Sequence, residues 1–308
     1  MKAINQSYAG FKNALVCVKL VLLESTLAWF DHRGASKGAA LAFYTLFSLA
    51  PILVLAIALA GYFFGLDAAQ GRIVDEIRLM IGVSGAEIIQ ALLASARNPT
   101  DGLIATIIAS SLMLLGATTV FIELKDSLDE IWAIPLKTRP RSKLPEMPLT
   151  RAAVVALMIK TRLLAFGIVL VLGFLLLISL VLSAVLGLLQ SYLSGLFISA
   201  GVVFSVLSNL VSFAVIIALF AVIFKMLPNV KLSWRDVSMG AVFTAVLFSL
   251  GKYAIGLYLG NSAVSSSFGA AGSVIALLLW IYYSSQIFFF GAEFTRQYAL
   301  QLGSLRSD

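Results

Sequence analysis

The chain has 308 residues, of which 60% are hydrophobic and only 12% charged, with a formal net charge of +7 and a mean hydropathy of +1.00. Soluble domains carry roughly 25% charged residues, so this composition excludes an ordinary water-soluble fold. No Asp, Glu, Lys or Arg falls between Arg162 and Lys225, a gap long enough for two membrane passes of about 20 residues each.

The single cysteine, Cys17, cannot form an intrachain disulfide, and the single histidine, His32, excludes a His-rich metal cluster. No cysteine or carboxylate spacing of a metal site is visible, and no nucleotide-binding loop. Neither metal nor cofactor is expected. The basic excess is assigned to topology and anionic headgroups rather than to nucleic acid. Membrane lipids are the expected partners.

The reading divides the chain into a cytoplasmic N-terminal arm (1–37), a transmembrane domain (38–295) and a cytoplasmic tail (296–308). In the arm, the apolar stretch Ala14 to Phe30 is interrupted by Lys19 and Glu24, and no small-residue cleavage pattern follows it. It reads as an amphipathic helix in the membrane interface. Six spans follow, at Gly38–Gly65, Leu103–Ile122, Leu163–Leu189, Ile198–Met226, Val237–Gly260 and Phe268–Ala292. Each is continuously apolar rather than alternating, which predicts an all-α bundle of six transmembrane helices rather than a barrel. Within the first loop, spacing at Ile73, Ile77, Met80 and Ile81, then at Ile88, Ile89, Leu92 and Leu93, predicts short amphipathic helices on the outer surface. The stretch from Pro135 to Pro148 holds four prolines among basic residues and reads as extended.

Orientation follows from the basic residues. Eighteen Lys and Arg fall on the side of the two termini and three, Arg72, Arg78 and Arg97, on the other. The positive-inside rule then places both termini in the cytoplasm.

Five segments carry a family resemblance. GAALAFYTLFSLAPILVL (Gly38–Leu55), ELKDSLDEIW (Glu123–Trp132), LPNVKLSWRDVSMGA (Leu227–Ala241), KYAIGLYL (Lys252–Leu259) and GAAGSVIALLLWIYYSSQIFFFGAEFT (Gly269–Thr295) resemble the YihY/BrkB family of bacterial membrane proteins, once labelled ribonuclease BN. The likeness runs from about Leu41 to Thr295, with Phe268 standing where that family more often has Tyr. It implies a polytopic protein of the bacterial inner membrane, with envelope proteins as expected further partners. Ideas attached to the family are movement of lipid-like envelope molecules and cation/proton exchange. The nuclease label reads as a misassignment, because metal-dependent RNA hydrolysis needs a positioned metal or an acid/base set. No catalytic residue is assigned.

Polar groups inside spans cost about 2.5–3.5 kcal/mol each at mid-helix and mark candidate positions on a substrate pathway. Lys252, beside Tyr253 in span five, either snorkels to the headgroups or faces the bundle interior. Tyr282, Gln286 and Glu293 share a face of span six, and Glu293 reads either as an interfacial cap paired with Arg296 or as part of the pathway. Tyr44 and Ser48 stack four residues apart in span one, where Pro51 is expected to bend the helix. Asn209 in span four fits interhelical hydrogen bonding, and Gly240, Gly251, Gly256, Gly269 and Gly272 fit close helix approach. A cytoplasmic acidic cluster, Glu123 and Asp126 with Asp129 and Glu130, ends span two. Together these point to a transporter, or a component of one, for lipid-like or anionic envelope molecules. Cation/proton exchange and a non-transporting scaffold are the alternatives.

Overall fold

A computed structural model describes residues 2–67, 70–71, 73–75, 86, 89–90, 93, 119–132, 175, 185, 200–230, 232–261 and 270–306. Among these the regular structure is helical, with no strand. Helix α1 spans Lys2–Asp31 and α2 Gly34–Phe64; α3 covers 119–131. Helices α4, α5 and α6 span Ala200–Met226, Trp234–Asn261 and Ala270–Gln301.

The link between α1 and α2 is a tight elbow. His32 N–H donates to the Ala28 carbonyl at 2.9 Å and Arg33 N–H to that of Phe30 at 3.0 Å, closing the last turn of α1. Arg33 then takes a left-handed conformation (φ 54°, ψ 45°) and caps α2 without a side-chain bond. That conformation costs a non-glycine residue about 1–2 kcal/mol, so packing around the elbow has to hold it. A Cβ on Gly34 would collide with the Trp29 indole, which is why the chain can fold back here. At its far end α2 stops at Gly65, whose φ of 86° suits glycine. The helix runs through Pro51 without interruption.

Helix α6 is the hub: α5, α2 and α1 all pack on it, and α4 packs on α5. Two apolar clusters lie along it. One joins Phe288, Phe289 and Ala292 of α6 to Leu128, Ile131 and Trp132 at the end of α3, Phe224 of α4 and Val237 of α5. The other joins Leu277 and Ile281 to Ala42 and Ile57 of α2 and to Val74, Ala86, Ile89 and Leu93. The first-loop residues Ile73, Ile89 and Leu93 therefore pack onto the bundle itself.

Close helix approach is clearest between α5 and α6. Thr244 Oγ1 donates to the Gly240 carbonyl at 2.7 Å and Thr295 Oγ1 to that of Gly291 at 2.6 Å, so each hydroxyl is satisfied within its own helix. A Cβ on Gly240 would strike Thr295, and one on Gly291 would strike Thr244. The same four-residue step, glycine then threonine, thus interlocks reciprocally across the interface. Gly251 also faces α6, at Tyr283 and Ile287.

Three described helices are long and apolar enough to cross a membrane: Val206–Met226, Trp234–Ile255 and Val274–Gln301. They match the expected spans four, five and six. Span six does not stop at Ala292; α6 continues to Gln301, with Thr295, Gln297 and Ala299 buried. The polar residues past Ala292 signalled an exit from the bundle, yet they are packed within it. Most of span two and nearly all of span three, together with Pro135–Pro148, Gly269 and the start of span six, lie outside the described residues.

Candidate functional site

Two features share the hub helix, a polar cluster at the elbow and an apolar cavity further back along α6. Glu293 is 1% exposed, and its Oε1 lies 2.6 Å from Nδ1 of His32, which is 25% exposed. The carboxylate accepts from the imidazole N–H. Two turns earlier, Gln286 Nε2 donates to the Ala35 carbonyl at 3.2 Å. Its amide presses on Gly38, where a Cβ would clash. Gln286 and Glu293 share the face that their seven-residue spacing predicts, and that face clamps the elbow. Lys37 extends the cluster to α3 through Glu130 Oε2 at 2.7 Å.

The cluster is not fully paired internally. Glu293 Oε2, Gln286 Oε1, Arg296 Nε and Trp29 Nε1 are buried with no hydrogen-bond partner among the described residues. Two are acceptors and two are donors. Glu293 therefore bonds not to Arg296, its expected neighbour, but to the one histidine in the chain.

The cavity has a volume of about 320 Å³ and is partly open. Its walls are Leu41, Thr45 and Leu49 of α2, Val120 and Leu124 of α3, Phe220 and Ile223 of α4, Phe248 of α5, Ile89, and six residues of α6: Leu277, Trp280, Ile281, Ser284, Ser285 and Phe288. None of these is charged. Ser285 Oγ donates to the Ile281 carbonyl at 2.8 Å. Trp280 Nε1 is buried without a partner among the described residues, and the other polar residues on the wall are Thr45, Ser284 and Ser285.

The polar residues singled out from the sequence are spread more widely. Gln286 and Glu293 meet at the elbow, and Ser48 is buried in α2. Tyr44 is half-buried, its ring 5.8 Å from that of Phe43. Tyr282 is partly buried against the second apolar cluster. Lys252 is half-buried, two turns beyond buried Ala245 on the inward side of α5, whereas Tyr253 is 72% exposed. Asn209 is exposed on α4 and makes no hydrogen bond among the described residues, so the expected interhelical bond is not formed there. Tyr44, Ser48, Asn209, Lys252, Tyr253, Tyr282, Gln286 and Glu293 all lie off the cavity wall; the side chain of Pro51 lies outside the described residues. In the acidic cluster, Asp129 bonds Lys125 and takes Asn229 N–H and Nδ2–H at 2.9 and 2.8 Å. It ties α3 to the turn between α4 and α5. Glu123 is half-buried and Asp126 exposed.

Sequence reasoning missed His32, Trp280 as a cavity residue, and Gly291. For His32 no local signal exists, since its partner is 261 positions away. Gly291 had one, the Gly-x-x-x-Thr step shared with Gly240–Thr244.

The profile of the virulence factor BrkB family matches residues 28–307. The chain belongs to that family. A UPF0761 membrane protein of Verminephrobacter eiseniae is 28% identical over 270 residues, 86% of this chain and 58% of the relative. One from Pseudomonas aeruginosa is 39% identical over 87 residues, 28% of this chain and 21% of the relative. The putative ribonuclease-like protein YfkH of Bacillus subtilis is 24% identical over 267 residues, 85% of this chain and 89% of the relative. The matches thus span little more than half of the Verminephrobacter relative and about a fifth of the Pseudomonas one. No solved structure matches. The resemblance carried by the five sequence segments is met, and this BrkB-family chain is a membrane protein.

Proposed function

We propose that this BrkB-family protein is a six-span transporter, or a transporter component, of the bacterial inner membrane, with both termini cytoplasmic, and that it moves lipid-like or anionic envelope molecules. The observation that carries this reading is the apolar cavity. At about 320 Å³ it falls in the range of small-molecule sites, roughly 300–1,000 Å³. Its uncharged, almost wholly apolar wall suits a hydrocarbon chain. Arg296 at the elbow, whose Nε has no partner among the described residues, supplies a place for negative charge beside Lys37 and His32, which are paired with Glu130 and Glu293. The six-span arrangement is supported by three qualifying helices among the described residues and by α2, whose 31 residues hold one charged side chain, Lys37.

The test is reconstitution into liposomes with labelled phospholipids. Label crosses faster than in protein-free vesicles if the reading holds. An equal rate with folded protein sinks it.

Cation/proton exchange is the second reading, and the buried Glu293 favours it, because a carboxylate within an apolar helix is what such exchange requires. Everted vesicles carrying Glu293→Gln discriminate. Exchange that survives the substitution removes Glu293 from the mechanism.

A further inference from the structure

Helix α1 exposes an apolar seam. Val16, Leu20, Leu23, Leu27 and Phe30 are 64, 51, 55, 52 and 66% exposed. Their steps of four, three, four and three residues are those of the inner positions of a heptad. The opposite side is occupied from Val21 onward: Val21, Ser25 and Ala28 are buried, while Val18 is 49% exposed, and α1 packs chiefly on α6.

A helix resting on a lipid surface carries Lys and Arg on its other side. Here that side is given over to α6, and the seam is flanked by one base, Lys19, and two acids, Glu24 and Asp31. An anionic surface repels those acids. The flanking residues fit a second copy of the chain instead. With Leu20 and Leu27 at the first inner position, Lys19 falls at the g position and Glu24 at the e position. In a parallel pair a g residue faces the e residue five positions further along the partner. Lys19 would then face Glu24 of the partner subunit, and the reverse pair forms by symmetry.

We infer that α1 is a homodimerisation element, with a second copy docked in parallel along Val16, Leu20, Leu23, Leu27 and Phe30 and held in register by reciprocal Lys19–Glu24 pairs. Two heptads are short for free peptides, since an isolated helix of this length is marginal in water. In this protein the helix is already formed and braced on α6, so little ordering cost is left for association.

The experiment uses the full chain in liposomes with Cys17→Ser, which removes the native thiol, and Leu23→Cys. Oxidation yields a disulfide-linked dimer. Lys19→Glu or Glu24→Lys in that background turns two attractions into two repulsions and weakens association roughly tenfold. The double reversal Lys19→Glu/Glu24→Lys restores it. Lys19, Leu23 and Glu24 are exposed and Cys17 is half-buried, and an unchanged thermal midpoint verifies folding. Equal dimer yield in all four chains overturns the proposal. So does a Leu23→Cys thiol that reacts with a lipid-soluble maleimide and never links, which marks lipid as the occupant.

Discussion

His32 and Glu293 meet at 2.6 Å although 261 positions separate them in the chain. Their bond joins the α1–α2 elbow to the hub helix. His32→Ala leaves a buried carboxylate without that donor and costs about 1–3 kcal/mol. Glu293→Gln costs less, because an amide oxygen still accepts from the imidazole. Tryptophan-detected thermal unfolding in detergent checks both, with Trp29 next to the elbow as a local reporter. Equal midpoints for wild type and His32→Ala would refute the role given to this pair.

The interlocked glycines make a sharper prediction. Gly240→Ala and Gly291→Ala each place a methyl group against a threonine of the facing helix, and overpacking of this kind costs about 1–3 kcal/mol. Shaving the opposing side chain relieves it, so Gly291→Ala with Thr244→Ala is more stable than the two single effects summed. Gly71, where a Cβ meets nothing among the described residues, is the control; alanine there brings no clash and stabilises by about 0.5–1 kcal/mol. The same unfolding assay gives the double-mutant cycle.

At the C-terminal end of α6, beyond the glycine lock, Asp236 is 2% exposed and accepts from the backbone N–H and hydroxyl of Ser304, at 3.0 and 2.5 Å. This pins the segment after α6 to the start of α5. Asp236→Ala removes both bonds and releases residues 303–306. Carboxypeptidase then trims the variant faster than wild type, while α6 itself persists. Matched digestion rates would show that the pin is immaterial.

Much of this was legible in the sequence because hydrocarbon imposes a simple rule: continuous apolarity means a helix, and its ends lie where polarity returns. Span one, read as Gly38–Gly65, sits within α2 and its Gly65 cap. The rule failed at Glu293, where polarity returned without the helix ending, because Glu293 and Gln286 find their partners at the elbow and not in water. Period alone identified the shared face of those two residues but not what the face meets. Lys252 and Asn209 drew attention as costly polar groups, yet the cavity wall is made chiefly of Leu, Ile, Phe, Val and Trp280, with Thr45, Ser284 and Ser285 its polar residues. Apolar residues in an apolar chain carry no local mark of being a wall. Only tertiary packing separates the Phe248 that lines a cavity from the Phe243 stacked on Phe294 at 3.8 Å.

That contrast sets the last prediction. If a hydrocarbon chain passes through the cavity, bulk added to its wall blocks movement while loss of polarity elsewhere does not. Ser284 is half-buried on the wall and makes no hydrogen bond among the described residues, so Ser284→Phe fills space with little damage to the fold. Tyr253 is 72% exposed on the outer side of α5, so Tyr253→Ala leaves the cavity untouched. In liposomes, Ser284→Phe slows lipid movement several-fold at unchanged thermal midpoint, and Tyr253→Ala moves lipid at the wild-type rate. The reverse order would place the path along the exposed polar side chains and away from the cavity. Because both variants are read in one assay against folded protein, a loss common to both would point to damaged packing rather than to a blocked route.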